Sequence, residues 1–205
     1  PNVIEQARSY SFAKSPVFEK QNSVSFFIRR VPNGQLTEWL HSGDRVGSRV
    51  MVDGPHGSFY LREPAGSLLL MAGGSGLAPI RALMQQFIEE KRQDSVTLVF
   101  GARTRQDLYC LDEIEDFARR LNGRFRFLPV LSQENGSDGW QGATGHCPEV
   151  ISTDILDAKS GQAYLCGPPA MIDAAVDRLK ALGLPESQIY FDKFLDASSM
   201  PGGRA

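Results

Sequence analysis

The sequence predicts a two-domain fold: an antiparallel β-barrel that lacks its first strands, followed by a doubly wound α/β domain with a parallel sheet. Three observations lead to this prediction. Short β-type segments separated by turn residues fill the chain up to about residue 61. From residue 66 onwards, strands alternate with apolar-periodic helices. A glycine-rich turn joins the first strand and helix of that second part. We place the domains at residues 1–64 and 65–197, with a flexible tail at 198–205.

Four β-type segments are predicted in the first domain, at residues 8–13, 23–31, 49–52 and 58–61. A barrel normally needs about five or six short strands. Either one strand is missed or the chain begins partway through its domain. The segment from Gly34 to Thr37 allows two interpretations: a glycine turn that opens a short helix with amides free for phosphate, or a simple turn capped by Thr37.

In the second domain, the alternation predicts five strands and four helices. The strands are expected at residues 68–72, 96–101, 125–130, 163–166 and 189–191. The helices are expected at residues 79–91, 111–121, 148–156 and 169–182. Parallel sheets bind ligands beyond the carboxyl ends of their strands, where the strand order reverses. We therefore expect function in three segments that follow strands, GGSG, GARTRQDL and CGPPAM.

The turn GGSGLAP has the chemistry of an anion site. Glycines let the backbone approach a ligand closely, and the first amides of the following helix point at it. The spacing is only related to the dinucleotide-binding fingerprint, because Pro79 stands where that pattern has its last glycine or alanine. By itself the turn is compatible with a phosphate site and with a simple turn.

Composition excludes several classes of protein. The chain has 22 basic and 24 acidic residues and a formal charge of −2, without a basic run suited to nucleic acid. It shows neither an apolar run of membrane-spanning length nor a secretory signal, so we expect a cytoplasmic protein that does not bind membranes. Cys110, Cys147 and Cys166 lack the spacing of a zinc or iron–sulfur ligand set, which predicts free thiols and no bound metal.

Seven motifs, weak one by one, occur in an order and at distances that resemble a known superfamily. They are RSYS, GQLT, GPHGSF, GGSGLAPIRAL, FGARTRQDLY, YLCGPPAMIDA and YFDKF. In this order they resemble the ferredoxin–NADP reductase superfamily. The resemblance is closest to the reductase components of bacterial multicomponent oxygenases, such as those of methane monooxygenase, phenol hydroxylase and benzoate dioxygenase. It extends over residues 8–195.

The resemblance implies that the first domain binds FAD. Arg8 would pair with the pyrophosphate, Tyr10 would pack on the isoalloxazine ring and Ser11 would lie beside the reactive ring nitrogen. The other residues that it assigns to FAD are Ser9, Phe27, Ile28, Arg29, Gly34, Leu36 and Thr37.

The resemblance also implies that the second domain binds NADH. The dinucleotide phosphates would be held by Gly74, Ser75, Gly76 and Leu77, and the nicotinamide would be lined by Cys166, Gly167 and Pro168, with Met171 nearby. Arg103 and Arg105 could pair with a 2′-phosphate, whereas Asp107 favours a free ribose hydroxyl, so NADH is expected rather than NADPH.

Two residues near the C-terminus match the carboxylate and the aromatic residue of the superfamily, Asp192 and Phe194. Here aspartate replaces the commoner glutamate, and phenylalanine replaces a frequent tyrosine. Phe194 would cover the flavin until nicotinamide displaces it. With Ser11 and Cys166, these two residues form the implied catalytic set.

The implied function is that of an FAD-dependent electron-transfer reductase. It would take hydride from NADH and pass single electrons to an iron–sulfur centre that serves an oxygenase. The implied partners are an iron–sulfur domain or ferredoxin and an oxygenase component. A two-iron two-sulfur cluster is expected only on a missing segment or a separate partner. Two alternatives stay open: a reductase with a haem or oxygen acceptor, and a non-catalytic dinucleotide-binding regulatory subunit.

Overall fold

A parallel β-sheet between two layers of helices dominates the computed structural model, which describes residues 7–19, 22–134 and 139–194. Its strands are β1 (Ser67–Gly73), β2 (Ser95–Ala102), β3 (Phe125–Leu131), β4 (Ala143–Thr144), β5 (Gly161–Gly167) and β6 (Ile189–Lys193). The α-helices are α1 (Gln35–His41), α2 (Leu77–Glu89), α3 (Leu111–Leu121) and α4 (Pro169–Ala181). All strand pairs are parallel, in the order β4-β3-β2-β1-β5-β6, which confirms the parallel sheet.

The strand order reverses beside β1. From β1 the chain moves outwards through β2 and β3 to β4, and it then returns past β1 to form β5 and β6. Ala72 lies opposite Cys166, which in turn lies opposite Asp192. The reversal therefore brings the carboxyl ends of β1, β5 and β6 side by side, where parallel sheets bind their ligands.

Alternating side chains on β1 divide the core into two clusters. Leu68, Leu70 and Ala72 pack on the side of α2 and α3, whereas Leu69 and Met71 pack on the side of α4. All five are at most 2% exposed, so each leucine contributes about 1.5–3 kcal/mol by leaving water. This double burial explains why the strand is a continuous apolar run.

Strand predictions for the first domain were wrong. Among the described residues before Ser67 there is no β-strand, only one antiparallel bridge between Phe12 and Phe26. Segments 49–52 and 58–61 have no ladder partner, and Val50, Met51 and Val52 are exposed. A β-type sequence forms a strand only where a neighbouring strand satisfies its backbone groups. Of the two interpretations of residues 34–37, the structure has the turn that opens a short helix, α1, which Gly34 precedes and no side chain caps.

The predicted helix at 148–156 was also wrong. The chain forms a single 3₁₀ turn, Cys147–Val150, and then an irregular segment. Ser152 donates its hydroxyl to Asp154 two residues on. Such local side-chain bonds compete with helical hydrogen bonds. Ile151 and Ile155 are nevertheless buried in the core. The apolar periodicity of this segment therefore indicated which residues are buried, although they do not form a helix.

The ends of the remaining predicted elements agree with the structure to within two residues, with every predicted strand slightly longer, and β4 was not anticipated. The proposed tail at 198–205 lies outside the described residues. No helix in the described part of the chain is both long and apolar enough to cross a membrane.

A buried ion pair holds the chain that enters β1. Asp94 accepts hydrogen bonds from the amides of Ala65 and Gly66, both at 2.8 Å, and Arg92 Nε lies 3.1 Å from its carboxylate. The two charged side chains are 3% and 1% exposed. Burial raises the pKa of Asp94, but the hydrogen bonds from Arg92 and the two amides outweigh it and lower the pKa below its ordinary value.

We predict that Asp94→Asn lowers the free energy of unfolding at pH 7 by about 3 kcal/mol, because it leaves the charge of Arg92 buried without a partner. The pKa of this carboxylate is lower in the folded protein than in the unfolded chain, where it is about 3.9. The carboxylate therefore stabilises the folded protein fully above about pH 3.9, and this stabilisation is lost as the pH falls through the folded-state pKa. The difference between variant and wild type should therefore shrink below about pH 4, which urea unfolding at several pH values measures. Asp154→Asn, which breaks an exposed pair with Arg126, is the control and should change much less. An equal loss at pH 3 and pH 7 would contradict the prediction.

Candidate functional site

The glycine turn lies at the carboxyl end of β1. A 3₁₀ turn, Gly74–Gly76, leads directly into α2, and no side chain caps the start of that helix. Gly74 has a φ of +53°, in the left-handed region that favours glycine. The uncapped helix start leaves the backbone amides as the groups that meet an anion.

Some glycines around the turn allow close packing, whereas Gly74 borders open space. A Cβ on Gly76 would clash with the carbonyl oxygen of Cys166, so this glycine lets the turn pack on the end of β5. A Cβ on Gly167 would lie 2.8 Å from Met171 Cε and 3.1 Å from the amide nitrogen of Gly73. A Cβ on Gly74 would meet nothing within 4 Å. The turn is thus packed closely against the end of β5 and is open at Gly74. This arrangement fits the pyrophosphate of a dinucleotide.

Three residues of the implied catalytic set meet beside this turn. Ser11 Oγ donates a hydrogen bond of 2.6 Å to Asp192 Oδ2, across 181 positions of sequence. Cys166 is fully buried and lies opposite Asp192 in the strand register. Burial, and secondarily the Asp192 carboxylate, raises the pKa of the Cys166 thiol far above its ordinary value. Cys166 is therefore a neutral packing group and not a nucleophile.

Phe194, Pro168 and Met171 surround the end of β5. The amide of Phe194 donates to the carbonyl of Gly167 at 2.9 Å, and its half-buried ring packs on the core. Pro168 is exposed and precedes α4. Met171 fills the space against Gly73 and Gly167 and packs with the core on the side of α4, so its contacts are those of a helix-core residue.

Seven of the residues assigned to FAD lie in two stretches of the chain, residues 8–11 and 27–29. Tyr10 is half-buried with its ring centroid 6.3 Å from that of Phe26. Burial raises the pKa of Tyr10, and the nearby charge of Arg8 opposes this effect. The Phe27 ring meets Tyr109 edge-on at 5.4 Å. The members of the set with exposed side chains are Arg8, Ser9 and Arg29, and Ile28 is half-buried.

The hydroxyl of Thr37, near the start of α1, is hydrogen-bonded to the backbone just before the helix. Thr37 is buried, and its hydroxyl accepts from the Val31 amide at 3.1 Å and lies 3.2 Å from the carbonyl oxygens of Val31 and Gly34. Leu36 is half-buried in the same helix. Because the Thr37 hydroxyl is occupied, the backbone amides are the groups of this turn that could meet a phosphate.

Carboxylates accompany both arginines after β2. Arg103 Nη2 lies 3.3 Å from Asp107 Oδ1, and Arg105 Nε lies 3.4 Å from Glu134 Oε2. Asp107 also accepts from the amide and the hydroxyl of Thr104, each at 3.1 Å. Burial raises the pKa of Asp107, but these bonds lower it overall. Asp107 therefore holds its own loop together, and both arginine charges are balanced.

Tyr109 was missed as a site residue. Its hydroxyl donates to the carbonyl of Gly74 at 2.9 Å, while its ring lies edge-on to both Phe27 and Phe100. It thus joins the glycine turn to a residue assigned to FAD. The available signal was its place at the end of the segment that follows β2, the edge where parallel sheets bind ligands.

We predict that Gly74→Ala weakens NADH binding while the protein stays folded. The added methyl group enters the open front of the turn, and the left-handed backbone costs about 1–2 kcal/mol of stability. Thermal unfolding and a binding titration measure the two effects. Gly183→Ala is the matched control, because its φ is +93° and its Cβ also meets nothing within 4 Å, but it follows α4 away from the turn. Equal NADH affinities for the two variants would contradict the assignment.

The chain matches two protein families. Residues 70–177 match the family described as the oxidoreductase NAD-binding domain, and residues 2–60 match the oxidoreductase FAD-binding domain. The electron transfer component of the xylene/toluene monooxygenase of Pseudomonas putida is 41% identical over 187 residues, which are 91% of this chain and 53% of that protein. The reductase component of the phenol 2-monooxygenase of a Pseudomonas species is 35% identical, over 97% of this chain and 56% of that protein. The chain therefore spans about half the length of these relatives.

Solved structures show the same fold. A cytochrome P450 reductase of Amycolatopsis superposes with a TM-score of 0.73 at 30% identity, over 90% of this chain and 55% of that one. A ferredoxin reductase in carbazole 1,9a-dioxygenase gives 0.72 at 29%, over 92% and 55%. Family match, sheet order and glycine turn lead to one conclusion: the chain belongs to the ferredoxin reductase family of oxidoreductases, which combine an FAD-binding and an NAD-binding domain.

Proposed function

We propose that this chain is the FAD- and NADH-binding part of an electron-transfer reductase that serves an oxygenase. The observation that carries the proposal is the 2.6 Å hydrogen bond from Ser11 to Asp192. It joins the segment assigned to FAD to the end of β6, next to Cys166 and at the point where the strand order reverses. A hydride-transfer enzyme needs its two cofactor sites to face each other in this way.

The domain division forms part of the proposal. Residues 1–64 constitute an FAD domain of the antiparallel barrel type, and residues 65–197 constitute the NAD domain. The family matches at 2–60 and 70–177 support this boundary, and the antiparallel bridge between Phe12 and Phe26 supports the barrel type.

Bound FAD would supply the chemistry, because a flavin accepts hydride and can release electrons one at a time. On the protein side, Arg8 pairs with the FAD pyrophosphate and Tyr10 packs on its ring system. Ser11 donates its single hydroxyl proton to Asp192, and this bond orients the hydroxyl oxygen as an acceptor towards the flavin. The other residues proposed to hold FAD are Ser9, Phe27, Ile28, Arg29, Gly34, Leu36 and Thr37.

The glycine turn binds the dinucleotide phosphates through the backbone of residues 74–77. Cys166, Gly167 and Pro168 line the nicotinamide, and Met171 supports them from below. The neutral thiol of Cys166 packs without competing for a charge. Phe194 covers the site in the absence of nicotinamide and excludes water from it.

The acceptor we propose is an iron–sulfur domain or ferredoxin, which would deliver electrons to an oxygenase component. Relatives that are electron transfer components of xylene/toluene monooxygenase and anthranilate 1,2-dioxygenase support this acceptor. The similarity to a cytochrome P450 reductase supports a haem protein as the second candidate. The rate of NADH oxidation with each acceptor distinguishes them.

The first test is the visible spectrum of the protein reconstituted with FAD, before and after anaerobic addition of NADH. We expect flavin bands that bleach. Ser11→Ala should keep FAD and NADH affinity but slow the bleaching about 100-fold, because it removes the hydroxyl that Asp192 orients at the reacting centre. Ser160→Ala, in an exposed pair with Asp157, is the control. A protein that takes up no FAD would refute the proposal.

We also propose NADH over NADPH, because Asp107 and Glu134 balance the two arginines that could bind a 2′-phosphate. Glu134→Gln should free Arg105 and raise kcat/KM for NADPH about tenfold, which corresponds to roughly 1.4 kcal/mol, with NADH unaffected. Glu186→Gln, which breaks an exposed pair with Lys180, should change neither. Unchanged NADPH kinetics in Glu134→Gln would contradict this role of Arg105.

A further inference from the structure

One face of α2 carries three polar residues at intervals of four, Arg81, Gln85 and Glu89. At this spacing they form a single row along the helix, which we name the α2 polar stripe. Each member contacts the N-terminal segment. Arg81 Nη1 donates to the carbonyl of Ala13 at 2.5 Å, Gln85 Oε1 accepts from the Ser15 amide at 2.9 Å, and Glu89 Oε2 accepts from the Ser15 hydroxyl at 3.3 Å.

Arg81 is the most constrained member of the stripe. Its side chain is only 10% exposed, and its Nε and Nη2 lie 2.7 and 2.6 Å from Glu113 Oε2 on α3. Its guanidinium carbon lies 5.7 Å from the centroid of the Phe27 ring. A guanidinium holds its donors in one rigid plane. Because α3 anchors two of its nitrogens, the third is aimed at Ala13 in a set direction.

Ala13 is in turn tied to the residues proposed to contact FAD. Its amide donates to the carbonyl of Ser25 at 2.8 Å, next to the bridge between Phe12 and Phe26. Ser11, two residues earlier, carries the hydrogen bond to Asp192. The same helix α2 begins at the glycine turn. One rigid helix therefore supports the phosphate-binding turn at its start and the FAD segment along its side.

We propose that Arg81 is a positioning residue for hydride transfer: it sets the placement of the FAD segment relative to the ends of β1, β5 and β6. The inference rests on the proposed function, since it assumes that the two sites hold FAD and NADH. Among the described residues, Arg81 hydrogen-bonds neither Ser11 nor Asp192; it acts through the backbone of Ala13 and through its contact with the Phe27 ring. Its substitution should therefore alter the rate of transfer more than the affinity for either cofactor.

The experiment compares wild type, Arg81→Met and Arg81→Lys, with Gln85→Ala as a milder variant of the same stripe. The control is Arg178→Met, which removes a helix arginine that donates to the carbonyl of Ile151 from α4. Four quantities are measured: amide hydrogen exchange over residues 7–15, affinity for FAD, affinity for NADH, and the single-turnover rate of flavin reduction.

We expect faster exchange at Ala13 and Ser15 in the Arg81 variants and in Gln85→Ala, with the amides of β1 and β2 unchanged. Flavin reduction should slow about 10- to 100-fold in Arg81→Met, since small misplacements of reacting groups cost rates of this size. Both affinities should stay within about threefold of wild type, a change worth less than a kcal/mol. Arg81→Lys keeps the positive charge but loses the planar set of guanidinium donors, so its rate of flavin reduction should lie between those of wild type and Arg81→Met.

The outcomes separate this inference from the proposed function. Faster exchange with an unchanged reduction rate, or no change in exchange, would overturn the positioning role while the enzyme assignment stands. A similar slowing in Arg178→Met would overturn it as well, because the effect would then be one of general stability. A wild type that binds FAD and NADH but transfers no hydride overturns the proposed function, and with it this role. If Arg81→Met does not fold, Arg81→Lys and Gln85→Ala decide by the same readouts.

Discussion

The close packing of the glycine turn on the end of β5 is the constraint on which the rest of the site depends. Gly76 approaches the carbonyl of Cys166 so closely that no side chain fits between them. This contact fixes where α2 starts and therefore where its sides point. The α2 polar stripe then holds the segment around Ala13, and that segment brings Ser11 to Asp192. One glycine contact thus underlies the geometry of the proposed site.

The Asp192 carboxylate lies beside Ser11 and Cys166, while three arginines near the proposed site are each balanced by a carboxylate. Cys166 stays a neutral thiol because burial raises its pKa. Arg81, Arg103 and Arg105 each have a carboxylate partner. The open groups at the turn are instead backbone amides, whose dipoles add to that of the helix. In the proposed function, these amides would meet the dinucleotide phosphates as fixed dipoles.

The sheet and its helices could be predicted because their signals are local. The run of residues 68–72 is buried on both faces, so its composition alone indicates a central strand. Residues 111–121 show the apolar period of a helix and form α3. The predictions failed for two different reasons, a missing partner strand in one case and local side-chain hydrogen bonds in the other. Residues 49–52 have β-type composition but no ladder partner, and residues 148–156 have a helical period that local bonds at Ser152 interrupt.

By itself, the sequence determined the alternation of strands and helices, the glycine turn and the order of motifs that identifies the family. Each of these depends on neighbours along the chain. Only the tertiary structure decided that Ser11 lies 2.6 Å from Asp192, that Tyr109 bonds the carbonyl of Gly74 and that Arg81 reaches Ala13. These contacts join residues 35 to 181 positions apart, and such pairs meet only once the sheet order and helix packing have placed them.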